Sequence, residues 1–201
     1  MSPSTPFRAM LWLGLALSTG CASVFPTPPT GSSTQEGVAS LTDWTATGKI
    51  ALRQPGASES ANLVWEQQGS HTLLRLSGPL GLGNTLVESD GSMLTIARGD
   101  ERQRIDISSR AAIIASTGWD LPLQALPHWL RGLPSPDYPV DEATRSSADG
   151  ALESLQQDGW RISYQRYGNF NGLTLPTRLR IEGHNTLATL LIRSWQLADR
   201  T

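Results

Sequence analysis

The thiol of Cys21 is the side chain in this sequence whose type and position point most directly to covalent chemistry. It is the single cysteine among 201 residues, and a deprotonated thiol is a good nucleophile. Cys21 follows an apolar run over residues 9–17 that Arg8 precedes, and small residues occupy positions 18–20. This order is typical of an export signal with a small-residue cleavage zone, and the run is shorter than the roughly 20 residues that span a bilayer. We therefore expect removal of residues 1–20 and export of the remainder.

The residues before Cys21 resemble the lipobox of bacterial lipoproteins, in which the cysteine is acylated and becomes the first residue of the mature protein. Ser18 holds the position where leucine is usual, and Leu17 stands one residue earlier. The resemblance implies that Cys21 carries an S-diacylglycerol and an N-acyl group. The alternative is a plain secretory signal with a chance cysteine.

No other set of residues has the spacing of a catalytic or metal site. The three histidines, His71, His128 and His184, have no cysteine pair or His-Glu-x-x-His pattern beside them, and we expect each to be a turn or surface residue. A Gly-x-Ser-x-Gly elbow and a phosphate-binding glycine loop are also absent from the sequence. The sequence therefore predicts a protein that is not an enzyme and has no cofactor or metal.

Composition favours a single packed domain. The chain has 16 basic and 18 acidic residues, and it has none of the clustered positive charge that marks a nucleic-acid surface. A hydrophobic content of 38% and seven tryptophans support one globular core. We expect a monomer that binds no nucleic acid.

The chain divides into three parts by composition. Residues 1–20 are the predicted signal peptide, and residues 21–40 are a predicted lipid-anchored tether. The tether is rich in Pro, Ser, Thr and Gly, which bury too little apolar surface to offset their ordering entropy. Residues 41–201 form the predicted single domain.

Alternating apolar and polar residues predict that this domain is mainly β. The alternation is clearest over 44–53, and it is typical of a half-buried strand. Short strands separated by Gly- and Asp-containing turns indicate an antiparallel meander. The ten strand candidates are 44–53, 61–67, 72–77, 85–89, 92–98, 101–107, 151–156, 160–166, 177–182 and 186–196.

Two short apolar helices interrupt the strands. Residues 110–115 follow a possible Ser cap, and residues 124–131 end at Gly132 and Pro134. A loop is expected over 138–145. The simplest architecture is a half-open antiparallel β-barrel, a curved sheet with these helices as a lid over an apolar cavity.

The loop after the third strand candidate carries unusual residues for a turn. Pro79, Leu80, Gly81 and Leu82 place two leucines near the tip, where polar residues are normal. One interpretation is that a leucine folds back onto the core. The other is that the loop is a hydrophobic probe that inserts into a membrane.

The sequence also resembles the LolB family of outer-membrane lipoprotein receptors. The matching segments, in chain order, are the lipobox and residues 46–51, 62–67, 74–81, 121–122, 129–134, 160–164, 176–179 and 190–195. The resemblance implies a half-open barrel with a helical lid, whose cavity holds the acyl chains of a client lipoprotein. It also implies that Leu80 promotes delivery into the membrane.

The same resemblance implies the partners and the location. The protein would take acylated client lipoproteins from the soluble periplasmic carrier LolA and insert them into outer-membrane lipid without nucleotide hydrolysis. It would be lipid-anchored in the outer membrane of a Gram-negative bacterium and face the periplasm. Ala22, which is not aspartate, permits release to that membrane by the usual sorting rule. Two alternatives are a lipid-anchored, lipocalin-like binder of a small apolar ligand and a structural outer-membrane lipoprotein.

Large apolar residues on the helices and strands are the candidates for the cavity wall. For each tryptophan among them, ordinary core packing is the alternative. The candidates are Trp65, Ile113, Ile114, Trp119, Leu126, Trp129, Leu130, Trp160 and Trp195.

Overall fold

The computed structural model describes residues 30–78, 83–107, 110–117 and 122–198. In these residues eleven strands form one antiparallel sheet, accompanied by three short helices. The strands are β1 (Asp43–Gln54), β2 (Ala57–Gln68), β3 (His71–Ser77), β4 (Thr85–Ser89), β5 (Met93–Arg98), β6 (Glu101–Asp106), β7 (Glu142–Arg145), β8 (Leu152–Gln157), β9 (Trp160–Phe170), β10 (Leu173–Gly183) and β11 (Thr186–Leu197). The helices are α1 (Thr30–Ala39), α2 (Arg110–Thr117) and α3 (Leu126–Leu130).

Most strands that are neighbours in the sheet are also neighbours in the chain. The order across the sheet is β6-β5-β4-β3-β2-β1-β11-β10-β9-β8-β7. The pairing of β1 with β11 brings the first and last strands together in the middle of the sheet. Within the described residues β6 and β7 are edges, so the sheet is not closed. The prediction of a mainly β, antiparallel fold with short helices is confirmed.

The sequence interpretation was wrong about one strand. The loop expected over 138–145 contains β7, which pairs with β8 at the edge of the sheet. All four β7 residues are exposed, so the segment has no apolar alternation from which a strand could be predicted.

Alternation puts most of the large apolar side chains of the sheet on one face, which we call the inner face. In β1 this face carries Trp44, Ala46 and Leu52, all buried. The register continues the same rows across the sheet, since Ala46 lies opposite Trp65 of β2 and Trp195 of β11. The core therefore consists of the inner face and the segments that pack on it.

A β-bulge at the centre of the sheet explains one glycine in β1. The register between β1 and β11 shifts between Thr47 and Gly48. A Cβ atom at Gly48 would overlap the backbone carbonyl of Leu191. Only glycine allows the two strands to approach this closely without a shift of the backbone.

Helix α1 lies within the range 21–40 for which composition predicted a tether. Its Val38 and the following Leu41 are buried in the main core. Arg131 donates hydrogen bonds to the carbonyl oxygens of both residues. This helix is stabilised by packing rather than by its own composition, which is why the sequence did not predict it. No helix in the described part of the chain is long and apolar enough to cross a membrane.

Helix α3 is held over the sheet by a buried amide. The side chain of Gln157 on β8 is 0% exposed. Its Oε1 accepts hydrogen bonds from the Trp129 indole N–H at 2.8 Å and from the Ser135 backbone N–H at 2.9 Å. Its Nε2 donates to the carbonyls of Ser135 at 3.0 Å and Tyr138 at 2.8 Å. One side chain thus fixes both α3 and the segment that follows it.

Replacing this amide should destabilise the fold strongly. Gln157→Met has similar size but leaves two buried donors and two carbonyls without these partners. Each unpaired buried group costs about 1–3 kcal/mol, so we expect a loss of at least about 2 kcal/mol in the free energy of unfolding. Urea denaturation measures this loss.

The neighbouring Gln156→Met is the matched control, because Gln156 bonds to Glu142 at the surface. A loss for Gln157→Met no larger than that for this control would contradict the role of the buried amide.

Candidate functional site

An open cavity of about 330 Å³ lies between the inner face and the segment leading into α3. This volume is within the range of sites that bind apolar ligands. We call it the apolar cavity. Its lining residues are Ile50, Leu52, Glu59, Ser60, Ala61, Leu63, Trp65, Leu74, Leu76, Gly78, Gly83, Thr85, Arg98, Leu123, Leu126, Ile181, Ala188 and Leu190.

The strand register builds the wall of this cavity. Leu63 and Trp65 of β2 lie directly opposite Leu76 and Leu74 of β3. These cross-strand pairs share the inner face because side chains of one strand alternate between faces. Leu123 closes the cavity from the helical side. The wall is therefore mostly aliphatic.

The connection between β3 and β4 begins and ends at this cavity. Gly78 and Gly83 both line it. The proposed membrane-insertion residues Pro79, Leu80, Gly81 and Leu82 are joined to these two glycines and lie outside the described residues. Cys21 and Trp119 also lie outside them.

The structure brings two of the predicted wall residues, Trp65 and Leu126, to the apolar cavity. The aliphatic residues that β1, β3 and β11 contribute to the wall were absent from the prediction. The alternation within those strands carried the signal, since Ile50, Leu74 and Leu190 share the face that holds Trp65. The prediction instead favoured tryptophans because of their large apolar side chains.

Four other candidates are buried in the core and do not line the cavity; they are Trp129, Leu130, Trp160 and Trp195. Trp129 is 0% exposed and packs on Trp160 with ring centroids 6.5 Å apart. Trp195 packs on Trp44 at 5.2 Å, and its indole N–H donates to the Pro176 carbonyl. For these tryptophans the structure corresponds to the alternative of core packing.

The two isoleucines of α2 have different surroundings. Ile113 is buried in a separate cluster with residues of β4–β6, which includes Val87 and Ile96. Ile114 is 39% exposed. Neither lines the apolar cavity.

A second hollow, of about 470 Å³, lies beside the first. Both are lined by Trp65, Leu74, Leu123 and Leu126. We call the second one the polar hollow, because its wall includes many polar side chains. These are Thr42, Gln67, Ser70, Thr72, Ser89, Gln124, His128, Arg131 and Asp137.

Burial dominates the electrostatics of the polar hollow. Desolvation lowers the pKa of Arg131, whose guanidinium is buried and bonded to carbonyl oxygens. Burial also lowers the pKa of His128, with a further contribution from Arg131 and an opposing one from Asp137. His128 therefore favours its neutral form. Among the described residues, no group of His, Cys, Asp and Glu side chains could hold a metal ion.

Comparison with known proteins first defines the fold. A LolA superfamily protein from Nitrosomonas europaea superposes with a TM-score of 0.53 at 11% identity, over 87% of this chain and 96% of that chain. The open antiparallel sheet with short helices is thus a LolA-like fold. The family model "Outer membrane lipoprotein LolB" matches residues 42–195, and the chain belongs to the LolB family.

Two curated relatives agree with this assignment. Outer-membrane lipoprotein LolB of Stutzerimonas stutzeri is 38% identical over 161 residues, which are 79% of this chain and 76% of the relative. LolB of Chromohalobacter salexigens is 34% identical over an alignment of 202 residues, covering 96% and 93%. The LolB family is non-enzymatic and belongs to the outer membrane, as the sequence predicted for this chain.

Filling the apolar cavity should reduce its capacity for apolar compounds. Leu76→Trp replaces an aliphatic side chain of the cavity wall, near Gly78, with a larger aromatic one. We expect the affinity for a fluorescent fatty acid to fall about tenfold, because the added ring occupies space that the ligand needs. Fluorescence titration of the purified protein measures this affinity.

Leu73→Trp is the matched control on the same strand. Leu73 lies opposite Glu66 and Glu88, so it is on the outer face. An equal loss in both variants would show that the cavity is not the binding site.

Proposed function

We propose that this protein accepts acylated lipoproteins from the soluble periplasmic carrier LolA and inserts them into the inner leaflet of the outer membrane without nucleotide hydrolysis. Family membership supports the receptor role. The observation that carries the proposal is the apolar cavity, which the segment proposed to enter the membrane adjoins at both of its ends. A cavity and an insertion segment at one rim give acyl chains a short path into lipid.

The acyl chains of a lipoprotein client must be shielded from water. Each exposed CH₂ group of an acyl chain costs about 0.8 kcal/mol in water, so a client with several chains cannot cross the periplasm unshielded. A flat sheet covers one side of such a chain only. In our proposal the sheet curves as a half-open barrel, and α3 with the Leu123 segment covers part of its inner face as a lid.

The remaining parts of the chain supply location. Residues 1–20 would be removed as a signal peptide, and the acylated Cys21 would hold residues 21–40 and the domain 41–201 at the membrane. The anchor gives proximity to lipid, whereas the cavity gives affinity for the client. These two roles are separable by mutation.

A charge at Leu80 should separate delivery from acceptance. We expect Leu80→Glu to fold and to accept clients from LolA almost normally, because it leaves the described residues of the cavity wall unchanged. Transfer from this variant to liposomes should be at least about tenfold slower, since a carboxylate enters the bilayer interior at high cost. A sedimentation assay of labelled lipoprotein measures the rate.

Leu191→Glu is the matched control for this experiment. Leu191 is 41% exposed on the outer face of β11 and does not line the cavity. If Leu80→Glu delivered lipoprotein at the rate of this control, that result would contradict the proposed role of Leu80 in membrane insertion.

Loss of the anchor should leave acceptance intact. A Cys21→Ala chain, which cannot be acylated at this position, should still take lipoprotein from LolA in solution to within about twofold of normal. Affinity pull-down of the loaded client measures the transfer. Failure of transfer, with a compact apolar molecule copurifying instead, would favour the small-ligand binder; failure with no bound compound would favour the structural lipoprotein.

A further inference from the structure

The apolar cavity and the polar hollow open toward opposite ends of the sheet. The apolar cavity reaches Gly78 and Gly83, at the connection between β3 and β4. The polar hollow reaches Gly69 and Ser70, at the turn between β2 and β3, and Gly91, between β4 and β5. Successive turns of an antiparallel meander alternate between its two ends. The two spaces share Trp65, Leu74, Leu123 and Leu126 as wall residues, so they adjoin. We call the adjoining spaces the groove; it is apolar at one end and polar at the other.

The length of this groove suits a fatty acyl chain. The stretch of backbone from Ser70 to Gly78 spans about 26 Å at the usual rise of about 3.3 Å per residue. The hydrocarbon core of a bilayer is about 30 Å thick, so the tails of one leaflet take up about half of that. A single acyl chain can therefore extend from the apolar cavity into the polar hollow.

Most polar groups of the hollow already have partners. The Oε1 atom of Gln67 accepts hydrogen bonds from the Trp65 indole N–H at 3.0 Å and from the Thr72 hydroxyl at 2.8 Å. Its Nε2 donates to the Gly69 carbonyl at 2.8 Å. These side chains shape the wall but need no ligand.

Among the buried side-chain polar atoms of this wall, the indole nitrogen of Trp44 is the one without a partner. The Trp44 side chain lines the hollow and is only 3% exposed, and its indole N–H has no hydrogen-bond partner. Buried donors are nearly always satisfied, so this N–H is available to an acceptor that the structure does not contain. The ring itself is fixed by Trp65 at 5.9 Å and Trp195 at 5.2 Å.

Arg131 adds positive charge to the same wall. Its guanidinium donates to the carbonyls of Val38, Leu41 and Pro127. No ion pair joins it to a carboxylate among the described residues. Its charge is therefore not neutralised locally, and it favours an oxygen that carries partial or full negative charge.

We propose that a bound acyl chain lies along this groove with its tail in the apolar cavity and its acyl oxygen in the polar hollow, where the Trp44 N–H donates to it. The acyl oxygen belongs to an ester, an amide or a free carboxylate. This inference rests on the proposed function and adds a direction to it: the tail lies at the end where the 79–82 segment begins and leaves first, into the membrane.

Spin-labelled stearate tests the direction in the unaltered domain sequence. Stearate and its methyl ester, labelled at carbon 5 or at carbon 16, are added to the unacylated Cys21→Ala chain, and broadening of backbone amide signals is measured by NMR. The carbon-16 label should broaden Leu52 and Ala188 most, and the carbon-5 label should broaden Thr72 and His128. Both the acid and the ester should give this pattern, because they share the acyl oxygen.

The outcomes separate this inference from the proposed function. The reverse pattern would overturn the direction and leave the lipoprotein-receptor role intact. The expected pattern for stearate with the reverse for its ester would overturn the shared acyl-oxygen site and indicate a carboxylate site. Absence of broadening around both spaces would contradict the acyl-binding groove, and the proposed function with it.

Trp44→Phe tests the donor. Phenylalanine keeps an aromatic ring between Trp65 and Trp195 but removes the N–H. We expect roughly fivefold to tenfold weaker binding of stearate, typical of one lost hydrogen bond, and unchanged binding of an alkane of equal length delivered from cyclodextrin. Trp160→Phe, at a tryptophan that lines neither space, is the control. Equal losses for stearate and alkane would show that Trp44 acts through packing and would overturn its role as donor.

Discussion

The fully hydrogen-bonded amide of Gln157 is the interaction on which the shape of the apolar cavity depends. Helix α3 has five residues and is too short to be stable alone. It is held by Gln157, by the Tyr164 hydroxyl that donates to the Trp129 carbonyl at 3.0 Å, and by Arg131, which joins it to the end of α1. These bonds set the position of α3 over the inner face. They therefore also set how much of that face stays uncovered.

The uncovered part is on one side of the sheet. Over β8 and β9 the space is filled by Trp129 and Trp160, which are buried completely or almost completely. Over β2 and β3 the corresponding residues include Leu74 and Leu76, which are only partly buried and border the apolar cavity. Three short helices of five to ten residues do not cover the whole of an eleven-stranded sheet. The hollow is thus a consequence of an apolar face that is larger than its cover.

The contrast between the filled side of the sheet and its uncovered side explains what the sequence could and could not predict. Period-2 alternation, together with the Gly- and Asp-containing turns between strands, placed ten of the strands, because most of them have an apolar inner face. It could not place the exposed β7, or α1, whose stability comes from Val38 and its contacts with the body. The alternation also could not show which parts of the inner face are covered by packed side chains and which border the apolar cavity. Trp129 and Trp65 are alike in the sequence, yet one bonds to Gln157 under α3 and the other borders the cavity. That difference depends on where α3 lies, which is a tertiary property.

Under the proposed function, the incomplete cover also gives transfer its direction. A closed cavity would surround an acyl chain as fully as a bilayer does and would leave little difference in free energy between them. Here the cavity is open, and Glu59, Ser60 and Arg98 lie on its wall among the aliphatic residues. A chain in it keeps part of its surface near polar groups or water, at a cost that grows by about 0.8 kcal/mol for each incompletely buried CH₂. The bilayer removes that cost. Under the proposed function, an acyl chain in this cavity would have a free energy between its values in water and in the membrane, so its release would need no energy source.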